Sequence, residues 1–474
     1  MKTKILLLLI LFFTSLFAQR ALTLDNAIEI AFDNSFSFKT AKYNLESSRK
    51  SLEAQKLGLL TSINMNFTLP QYSRRLRNEF NTTTQKDQYF KYESTKMEGA
   101  LSITQPIVYT NTTISLDGTL SWRDQQNNLT STKDFYSDVR VFLKQPIFDF
   151  NSRAASLRRA EINEFKSSRQ FTRSEFNLIY TVTQSFYDLY KSERQMHIAE
   201  ESVNQNDEQY KTAKNKYMAG LTPEDEMLQQ EITLAESKNQ LFDAQSAFEN
   251  AKNNFKHLVG IPLSEEIVLK ADITFEKINV DSDKALRMAL EKRSDILDAQ
   301  DDMELKELSV EETSSKKRIK FNLTASYGLN KFDEKFGDIL SDMDDSRTAQ
   351  LTMSVPILDW GKNSREVEAA TAQFNISKER YLDAQVGVTK EIKAIINRIK
   401  SAEASVEVLK KSVMLAEKSY KISLERFKVG KITSFDLSMV QSKLTQAKLS
   451  NLSALINYKL AIADLERKTL TKFN

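Results

Sequence analysis

The residue types that carry out most catalytic chemistry are scarce in this chain of 474 residues. It has no cysteine, which excludes thiol nucleophiles, disulfides and zinc thiolates. The two histidines, His197 and His257, lie on separate predicted helices without metal-ligand spacing. The sequence also lacks a glycine-rich phosphate loop, a nucleophile elbow and a metalloprotease motif. We therefore expect no enzymatic activity, no cofactor and no bound metal.

The candidate functional groups that remain are two carboxylates in matching short segments. Glu226 lies in NKYMAGLTPEDEML and Asp436 in ERFKVGKITSFDLS, each six residues after a glycine. Those glycines, Gly220 and Gly430, permit the tight reversal that joins two antiparallel helices. The residues expected to start the returning helices are Thr222 with Pro223, and Thr433 or Ser434. Acids in the first turn of a helix complement its dipole, which is the simplest explanation of both carboxylates.

The two segments belong to an internal duplication with an offset of 210 residues. QPIFDFN at 145–151 aligns with VPILDWG at 355–361, and the same offset pairs Tyr217 with Phe427. Four residues mark the predicted step from a strand into a long helix: Pro146, Asp149, Pro356 and Asp359. Apolar residues that recur every seven positions in both copies predict a coiled-coil seam: Val182, Leu189, Met196, Val203 and Tyr210, and Ile392, Ile399, Val406, Val413 and Tyr420.

Long helices are also indicated by the small numbers of glycine and proline, 10 and 6. The predicted helices are 22–60, 150–219, 223–258, 282–317, 361–429 and 433–468. The first repeat then covers 19–258 and the second covers 282–468. A linker at 259–281 joins them, and a short tail at 469–474 follows.

Six segments alternate between apolar and polar residues, within 62–147 in the first repeat and within 319–358 in the second. They are 63–69, 100–104, 113–122, 138–144, 321–327 and 349–357. Strands of a soluble sandwich alternate in the same way. The predicted connections favour a transmembrane β-barrel, because long polar loops (71–96 and 331–347) contrast with a short turn at 108–112. So few strands cannot close a barrel alone, which predicts an oligomer.

The N-terminus predicts export from the cytoplasm. Lys2 and Lys4 precede an apolar run from Ile5 to Phe13, as in a signal peptide over residues 1–18. No later stretch approaches the roughly 18 apolar residues of a membrane-spanning helix. The 67 basic and 64 acidic residues give a net charge of +3, which does not indicate a nucleic-acid partner.

With these features the chain resembles the TolC-like outer-membrane factors over nearly all of its mature length. The resemblance depends on the duplication, on the PIFDF and PILDW steps and on the two glycine-centred segments. It implies a mainly α fold with a transmembrane β-barrel part, in which a homotrimer forms a long coiled-coil α-helical barrel and an outer-membrane β-barrel. The implied location is the outer membrane, with a large periplasmic part.

The resemblance also implies a function, which is a passive exit duct of a tripartite efflux pump or type I secretion system. The implied partners are a periplasmic adaptor (membrane fusion) protein, an inner-membrane transporter of the RND or ABC type, and outer-membrane lipid. By family position, Glu226 and Asp436 would form an acidic ring at the periplasmic aperture. The helix tips that would turn and contact the adaptor are Tyr217, Gly220, Thr222, Pro223, Phe427, Gly430, Thr433 and Ser434.

The chain departs from the family pattern in one respect. The region between Met65 and Pro146 is 48 residues longer than its counterpart between Leu323 and Pro356, which predicts one added hairpin. That hairpin could join the barrel, giving 18 strands in a trimer, or could fold as a lid or plug. The competing function is a soluble periplasmic coiled-coil adaptor or scaffold, although such adaptors have a single helical hairpin and this chain has two.

Overall fold

The computed structural model describes residues 20–81, 84–126, 131–271 and 273–473. The signal peptide predicted at 1–18 lies outside these residues. The described chain divides into two compact units. The helical unit contains 20–45, 167–298 and 382–473, and the sheet unit contains 46–166 and 299–381.

Eight α-helices occupy most of the described chain. They are α1 Leu24–Asn34, α2 Phe36–Leu57, α3 Ser152–Met218, α4 Glu224–Val259, α5 Ser282–Lys292, α6 Ser294–Ser315, α7 Lys362–Lys428 and α8 Ser434–Thr469. The long helices α3 and α7 have 67 residues each, and the returning helices α4 and α8 have 36 each. At about 1.5 Å per residue, each long helix measures about 100 Å. None of the described helices is both long and apolar enough to cross a membrane.

Two helices predicted as continuous are each broken in two. The helix predicted at 22–60 is interrupted at Ser35, and the helix predicted at 282–317 is interrupted at Arg293. Both residues have extended backbone, with ψ of 126° and 131°, and each still donates its N–H to the carbonyl four residues before it. Each break ends an 11-residue amphipathic helix with its own N-cap, Thr23 or Asp281. These two capped segments are the signal that continuous-helix reasoning missed.

Eight β-strands and one short 3-10 helix, Phe336–Asp338, complete the secondary structure of the described residues. The strands are β1 Arg20–Leu22, β2 Ser62–Asn81, β3 Lys86–Ile107, β4 Thr112–Gln126, β5 Ser131–Ile147, β6 Ile267–Leu269, β7 Lys320–Asp333 and β8 Asp344–Ser354. Strands β1 and β6 pair in parallel within the helical unit. The other six form one antiparallel sheet in the order β2-β3-β4-β5-β7-β8.

The core of the helical unit surrounds the β1–β6 pair. Its buried residues come from the short strands, α1, α3, the end of α4 and α8, and include Leu22, Ala27, Ala31, Val182, Phe186, Phe255, Val259 and Ile456. Gly260 ends α4 at φ 80°, where an added Cβ would lie 2.7 Å from the carbonyl oxygen of Asn34. The predicted linker is therefore packed into this unit. Tyr458 holds it further, because its hydroxyl bonds the Glu276 carbonyl and the Ile278 N–H, both at 3.0 Å.

The sheet corrects the strand and loop boundaries. Residues predicted as a polar loop at 71–96 are mostly strand, since β2 and β3 continue as a long hairpin. Pro70 does not end β2 but lies at a register shift between Thr68 and Gln71. A proline is tolerated there because β2 is an edge strand and its missing N–H costs no ladder bond. At the other edge, β8 ends at Ser354, before the predicted end at 357.

The added hairpin joins the sheet. The first repeat supplies four adjacent strands, β2 to β5, and the second supplies β7 and β8. The alternating apolar side chains lie on one face and remain exposed within the chain, and they include Ile63, Met65, Phe67, Leu101, Leu116, Leu120, Val139, Val141, Leu351 and Met353. The opposite face is polar and hydrogen-bonded, for example where Ser115 and Ser102 both donate to the carboxylate of Asp117.

Candidate functional site

The two reversals between long helices have the same geometry. Gly220 and Gly430 adopt left-handed backbone, with φ of 67° and 73°. The residue after each glycine donates its N–H to a carbonyl five residues back, from Leu221 to Lys216 and from Lys431 to Arg426, both at 2.9 Å. This is a Schellman ending, which satisfies the last carbonyls of a helix and favours glycine. The duplication therefore repeats a turn as well as a sequence.

The returning helix of the second tip has a complete N-terminal cap. The N–H of Asp436 donates to Thr433 Oγ1, and the N–H of Thr433 donates to Asp436 Oδ2, both at 3.1 Å. The Thr433 hydroxyl donates to the same carboxylate oxygen at 2.8 Å. Thr433 is therefore the N-cap of α8, and Ser434 is the first helical residue. Asp436 closes a capping box, so it is bound to its own helix start.

The first tip starts its returning helix differently from the prediction. Pro223 itself is the N-cap of α4, and no side chain caps this helix. The hydroxyl of Thr222 is buried and has no hydrogen-bond partner among the described residues, so Thr222 does not cap the helix. Proline cannot donate an N–H at this position, and the helix instead carries acids through its first turn, Glu224, Asp225 and Glu226.

Three contacts join the two tips. Glu226 Oε1 accepts the N–H of Ser434 at 3.3 Å, so the first-tip acid reaches the start of the second returning helix. Lys216 Nζ donates to the carbonyl of Phe427 at 3.0 Å and lies 4.2 Å from the centre of its ring. Further from the tips, the amide of Gln209 donates to Gln441. Glu226 and Asp436 therefore both bind the start of α8.

Buried polar side chains accompany these contacts. Asn206, Gln209, Gln230 and Gln441 are all at most 5% exposed. Both side-chain polar atoms of Gln230 lack a hydrogen-bond partner among the described residues. An unpaired buried amide costs stability, so this end of the four helices is less tightly specified than the core near β1 and β6.

Burial along the coiled-coil seam also decreases toward the tips. Val182, Leu189, Ile392, Ile399 and Val406 are at most 3% exposed. The seam residues nearer the tips are only partly buried: Met196, Val203, Tyr210, Val413 and Tyr420. Burial raises the pKa of the Tyr420 hydroxyl above its ordinary value.

The surface of the tips includes residues that the sequence reasoning did not single out. Phe427 is 2% exposed, so it supports the tip from inside and offers no surface to a partner. Tyr217, at the matching position, is 39% exposed. Larger exposed apolar surface comes from Met218, Leu221, Val429 and Phe435. The available signal was the presence of apolar residues immediately beside each glycine turn, where solvated loops normally carry polar residues.

The steps from strand to long helix differ between the repeats. Asp359 accepts the N–H groups of Gly361 and Asn363 at 2.9 and 3.0 Å, so it caps α7, and these bonds lower the pKa of its carboxyl. Asp149 instead pairs with Lys320 at 2.7 Å. The cap of α3 is Asn151, whose side chain accepts the N–H of Ala154 at 3.0 Å.

An unpredicted arginine fixes the turn between β3 and β4. Arg153, in the first turn of α3, donates to the carbonyls of Asn111 and Thr112 at 2.7 and 2.9 Å and to the Thr113 hydroxyl at 2.6 Å. The prolines of both steps lie close to strand ends: Pro146 is within β5, and Pro356 follows β8 by two residues. Together these contacts fasten the β3–β4 turn to the start of the long helix.

No cluster of three potential metal ligands is found within residues 20–81, 84–126, 131–271 and 273–473. His197 Nδ1 lies 3.1 Å from Glu200 on its own helix, an exposed local pair.

Comparison with known proteins agrees with this architecture. The family model for outer membrane efflux proteins matches residues 109–261 and 285–469. Curated proteins yield no match to the chain. Solved structures that share its fold include the CmeC outer membrane channel of Campylobacter jejuni, with 15% identity and a TM-score of 0.71 over 95% of this chain and 86% of that one. The VceC outer membrane protein of Vibrio cholerae has 14% identity and a TM-score of 0.69, over 95% and 97%. The open-state MtrE channel of Neisseria gonorrhoeae has 17% identity and a TM-score of 0.67, over 94% and 89%.

Proposed function

The chain belongs to the outer membrane efflux protein family, and on this premise we propose that it forms the exit duct of a tripartite efflux pump or type I secretion system. Family membership places it in the outer membrane, with a periplasmic part, as an efflux channel. This location is not compatible with the alternative of a soluble periplasmic adaptor. The proposal concerns the assembly, the partners and the gate.

The observation that carries the proposal is a six-stranded sheet with two unpaired edges and an exposed apolar face. In lipid, each backbone N–H or C=O left without a hydrogen bond at a sheet edge costs roughly several kcal/mol, so the sheet must close. Residues 62–72 of β2 are all exposed, and every residue of β8 except Ser346 is exposed. Pairing β8 of one chain with β2 of the next removes both edges. Three copies, the number that the family resemblance implies, give a barrel of 18 strands.

The tips are the proposed contact with the periplasmic adaptor protein, through which the duct would connect to an inner-membrane transporter. Tyr217, Met218 and Leu221 on the first tip, and Val429 and Phe435 on the second, are exposed apolar side chains that a partner could cover. Gly220 and Gly430 set the shape of these surfaces by their left-handed turns. Apolar anchors beside polar side chains are typical of the centres of protein interfaces.

We place the periplasmic gate at the same tips. In a trimer, Glu226 and Asp436 would supply six carboxylates near the axis, where they would repel anions and bind cations. The bond from Ser434 to Glu226 and the contact of Lys216 with Phe427 hold the two hairpins of one chain together. Opening by separation of the hairpins would break both contacts.

Single-channel recording in planar bilayers tests this gate. The double variant Glu226→Ala with Asp436→Ala removes charge, cap and cross-tip bond, and we expect higher conductance and weaker block by a multivalent cation. Glu226→Gln with Asp436→Asn keeps a hydrogen-bond acceptor at both positions, because the amide oxygen can still accept an N–H. This variant should lose cation block with a smaller rise in conductance.

A control is Glu224→Gln, which removes one charge from the first turn of α4 and keeps the cross-tip bond of Glu226. It should leave conductance close to that of the wild type. If the double alanine variant changes neither conductance nor cation block, these two acids do not line the aperture.

A further inference from the structure

Two segments at the loop end of the sheet carry opposite charge. The basic hairpin, residues 71–96, has six basic and three acidic side chains: Arg74, Arg75, Arg77, Lys86, Lys91 and Lys96 against Glu79, Asp87 and Glu93. The acidic loop, residues 331–347, has the inverse: Asp333, Glu334, Asp338, Asp342, Asp344 and Asp345 against Lys331, Lys335 and Arg347. Their net charges are therefore +3 and −3. Each segment lies beside a different edge of the sheet, on β2 or on β8.

Several of these charges are not neutralised within the chain. Arg74 pairs with Glu93, and Arg347 pairs with Asp345. By contrast, Arg75 and Asp344 are exposed, and neither forms an ion pair with any residue in the described ranges. The guanidinium of Arg77 lies 5.1 Å from the centre of the Tyr92 ring.

The centre of the acidic loop is held on the sheet, and the end of the loop leads into β8, the strand at the sheet edge. Ser137 donates to the carbonyl of Ile339, a residue with no exposed surface, and the Phe336 ring lies 5.5 Å from that of Phe135. These contacts fix the middle of the loop on β5. Asp342 and Asp344 then lead into β8, whose outer edge has no partner in the described chain.

Barrel closure determines what meets that edge. Across one chain, the ladder pairs place Met65 of β2 on the same row as Asp345 of β8, through Leu101, Gly118, Val139 and Leu329. A closed barrel requires a stagger, so β8 meets the next copy of β2 at a shifted position. Placing the two helix-side strand ends together sets Ser354 opposite Ser62 of the next copy. Counting the extra residue of the β2 bulge, this register sets Asp344 opposite Ser73, two residues from Arg75 on the same face.

The size of this stagger agrees with barrel geometry. Ser62 shares its row with Thr348 within one chain and would lie opposite Ser354 of the next copy, a shift of six residues, about 20 Å along a strand, while six strands span about 29 Å. The strands would then tilt by about 35°, at the lower bound of the roughly 35–45° of transmembrane barrels. The register that aligns the strand ends is thus also one that closes the barrel.

We propose that Arg75 of one copy forms an ionic contact with Asp344 of the next copy, with Arg77 beside Asp342, so that the basic hairpin and the acidic loop fasten each seam of the barrel. Both sides lie on the polar face: Arg75 pairs with Tyr92 in line with Ser94 and Ser102, and Asp344 pairs with Asn330 in line with Ser326. This inference rests on the proposed closure of the sheet by copies of the same chain.

Engineered cysteines test the contact directly, because the chain has none of its own. The full-length variant Arg75→Cys with Asp344→Cys, treated in outer membranes with a short bifunctional thiol reagent, should give covalent dimers and trimers on denaturing gels. The control pair is Arg75→Cys with Ser131→Cys. Ser131 is also exposed but starts β5, two strands from the β8 edge, so this pair should stay monomeric. Each single-cysteine variant should do the same.

A charge-reversal cycle tests the energetics. Arg75→Glu and Asp344→Arg should each lower the temperature at which the oligomer dissociates, by about 3 °C on the scale of exposed ion pairs in a mid-sized unit. The combined variant should recover most of this loss, and about 1 M salt should shrink the differences. Additive losses in the combined variant would show that the two charges do not meet.

The outcomes separate this contact from the channel proposal. A protein that runs as an oligomer, but cross-links no more at Arg75 and Asp344 than the control pair does, overturns the seam contact and leaves the duct intact. A protein that is monomeric in its native mass overturns the closure itself, and with it the proposed function.

Discussion

Replacement of Arg293 should destabilise the helical unit. It lies at the break between α5 and α6 with its side chain only 10% exposed. Its guanidinium bonds the carboxylates of Glu391 and Asp295. Burial opposes ionisation of both acids, but the hydrogen bonds from Arg293 outweigh this for Asp295, and those from Lys468 and Arg293 do so for Glu391, so the pKa of each is lowered.

The cost of Arg293→Met can be estimated from these contacts. Removing one partner of a buried ion pair costs about 3–5 kcal/mol. Here the two acids are about one-third exposed and keep other partners, Lys468 at 2.6 Å from Glu391 and Arg173 at 3.3 Å from Asp295. We therefore expect a smaller loss of about 2–3 kcal/mol, or about 5–10 °C in melting temperature.

The loss is measured as a lower melting temperature, by following the circular dichroism signal of the helices during heating. The matched control is Arg365→Met, because Arg365 is 80% exposed and pairs with Glu368 on the same helix, where an ion pair contributes less than about 0.5 kcal/mol. If the Arg293 variant melts at the same temperature as the Arg365 variant, the buried cluster does not stabilise the break.

Two further predictions concern acid and glycine. The hydrogen bond from Arg158 lowers the pKa of Glu304, so this pair stabilises the fold above the ordinary pKa near 4.5 and the stabilisation is lost as the pH falls through the lowered value. The urea unfolding midpoints of the wild type and Glu304→Gln should therefore converge in acid. A difference that stays constant with pH would contradict this. Gly260→Ala should lower the stability by more than about 2 kcal/mol, because the added Cβ would meet the backbone of Asn34 and the left-handed backbone itself costs about 1–2 kcal/mol. Gly430→Ala has open space around it and should lose only the cost of the left-handed backbone. Equal melting temperatures for the two variants would contradict the contact with Asn34.

Sequence reasoning anticipated the features that depend on long periodic patterns. The heptad stripe and the offset of 210 identify helices of equal length, because one insertion would destroy the register between α3 and α7. Strand alternation identifies all six strands of the large sheet for a similar reason, since a one-residue slip would reverse their faces.

Features that depend on a single residue or a tertiary partner were missed. The helix break at Arg293 depends on acids that are distant in sequence, such as Glu391. The hairpin at 71–96 resembles a loop because the bulge beside Pro70 interrupts its alternation, so that Tyr72 and Leu76 continue the apolar face out of phase. Glu226 reaches Ser434 across 208 positions, and nothing in the local sequence indicates that bond.

The most direct test of the account is the native mass of the particle that detergent extracts from the outer-membrane fraction. Two unpaired sheet edges in one chain predict a closed oligomer, and the family resemblance sets the expected number at three mature copies. Recovery of a single chain, or of the protein in the periplasmic fraction without detergent, would contradict the proposed duct.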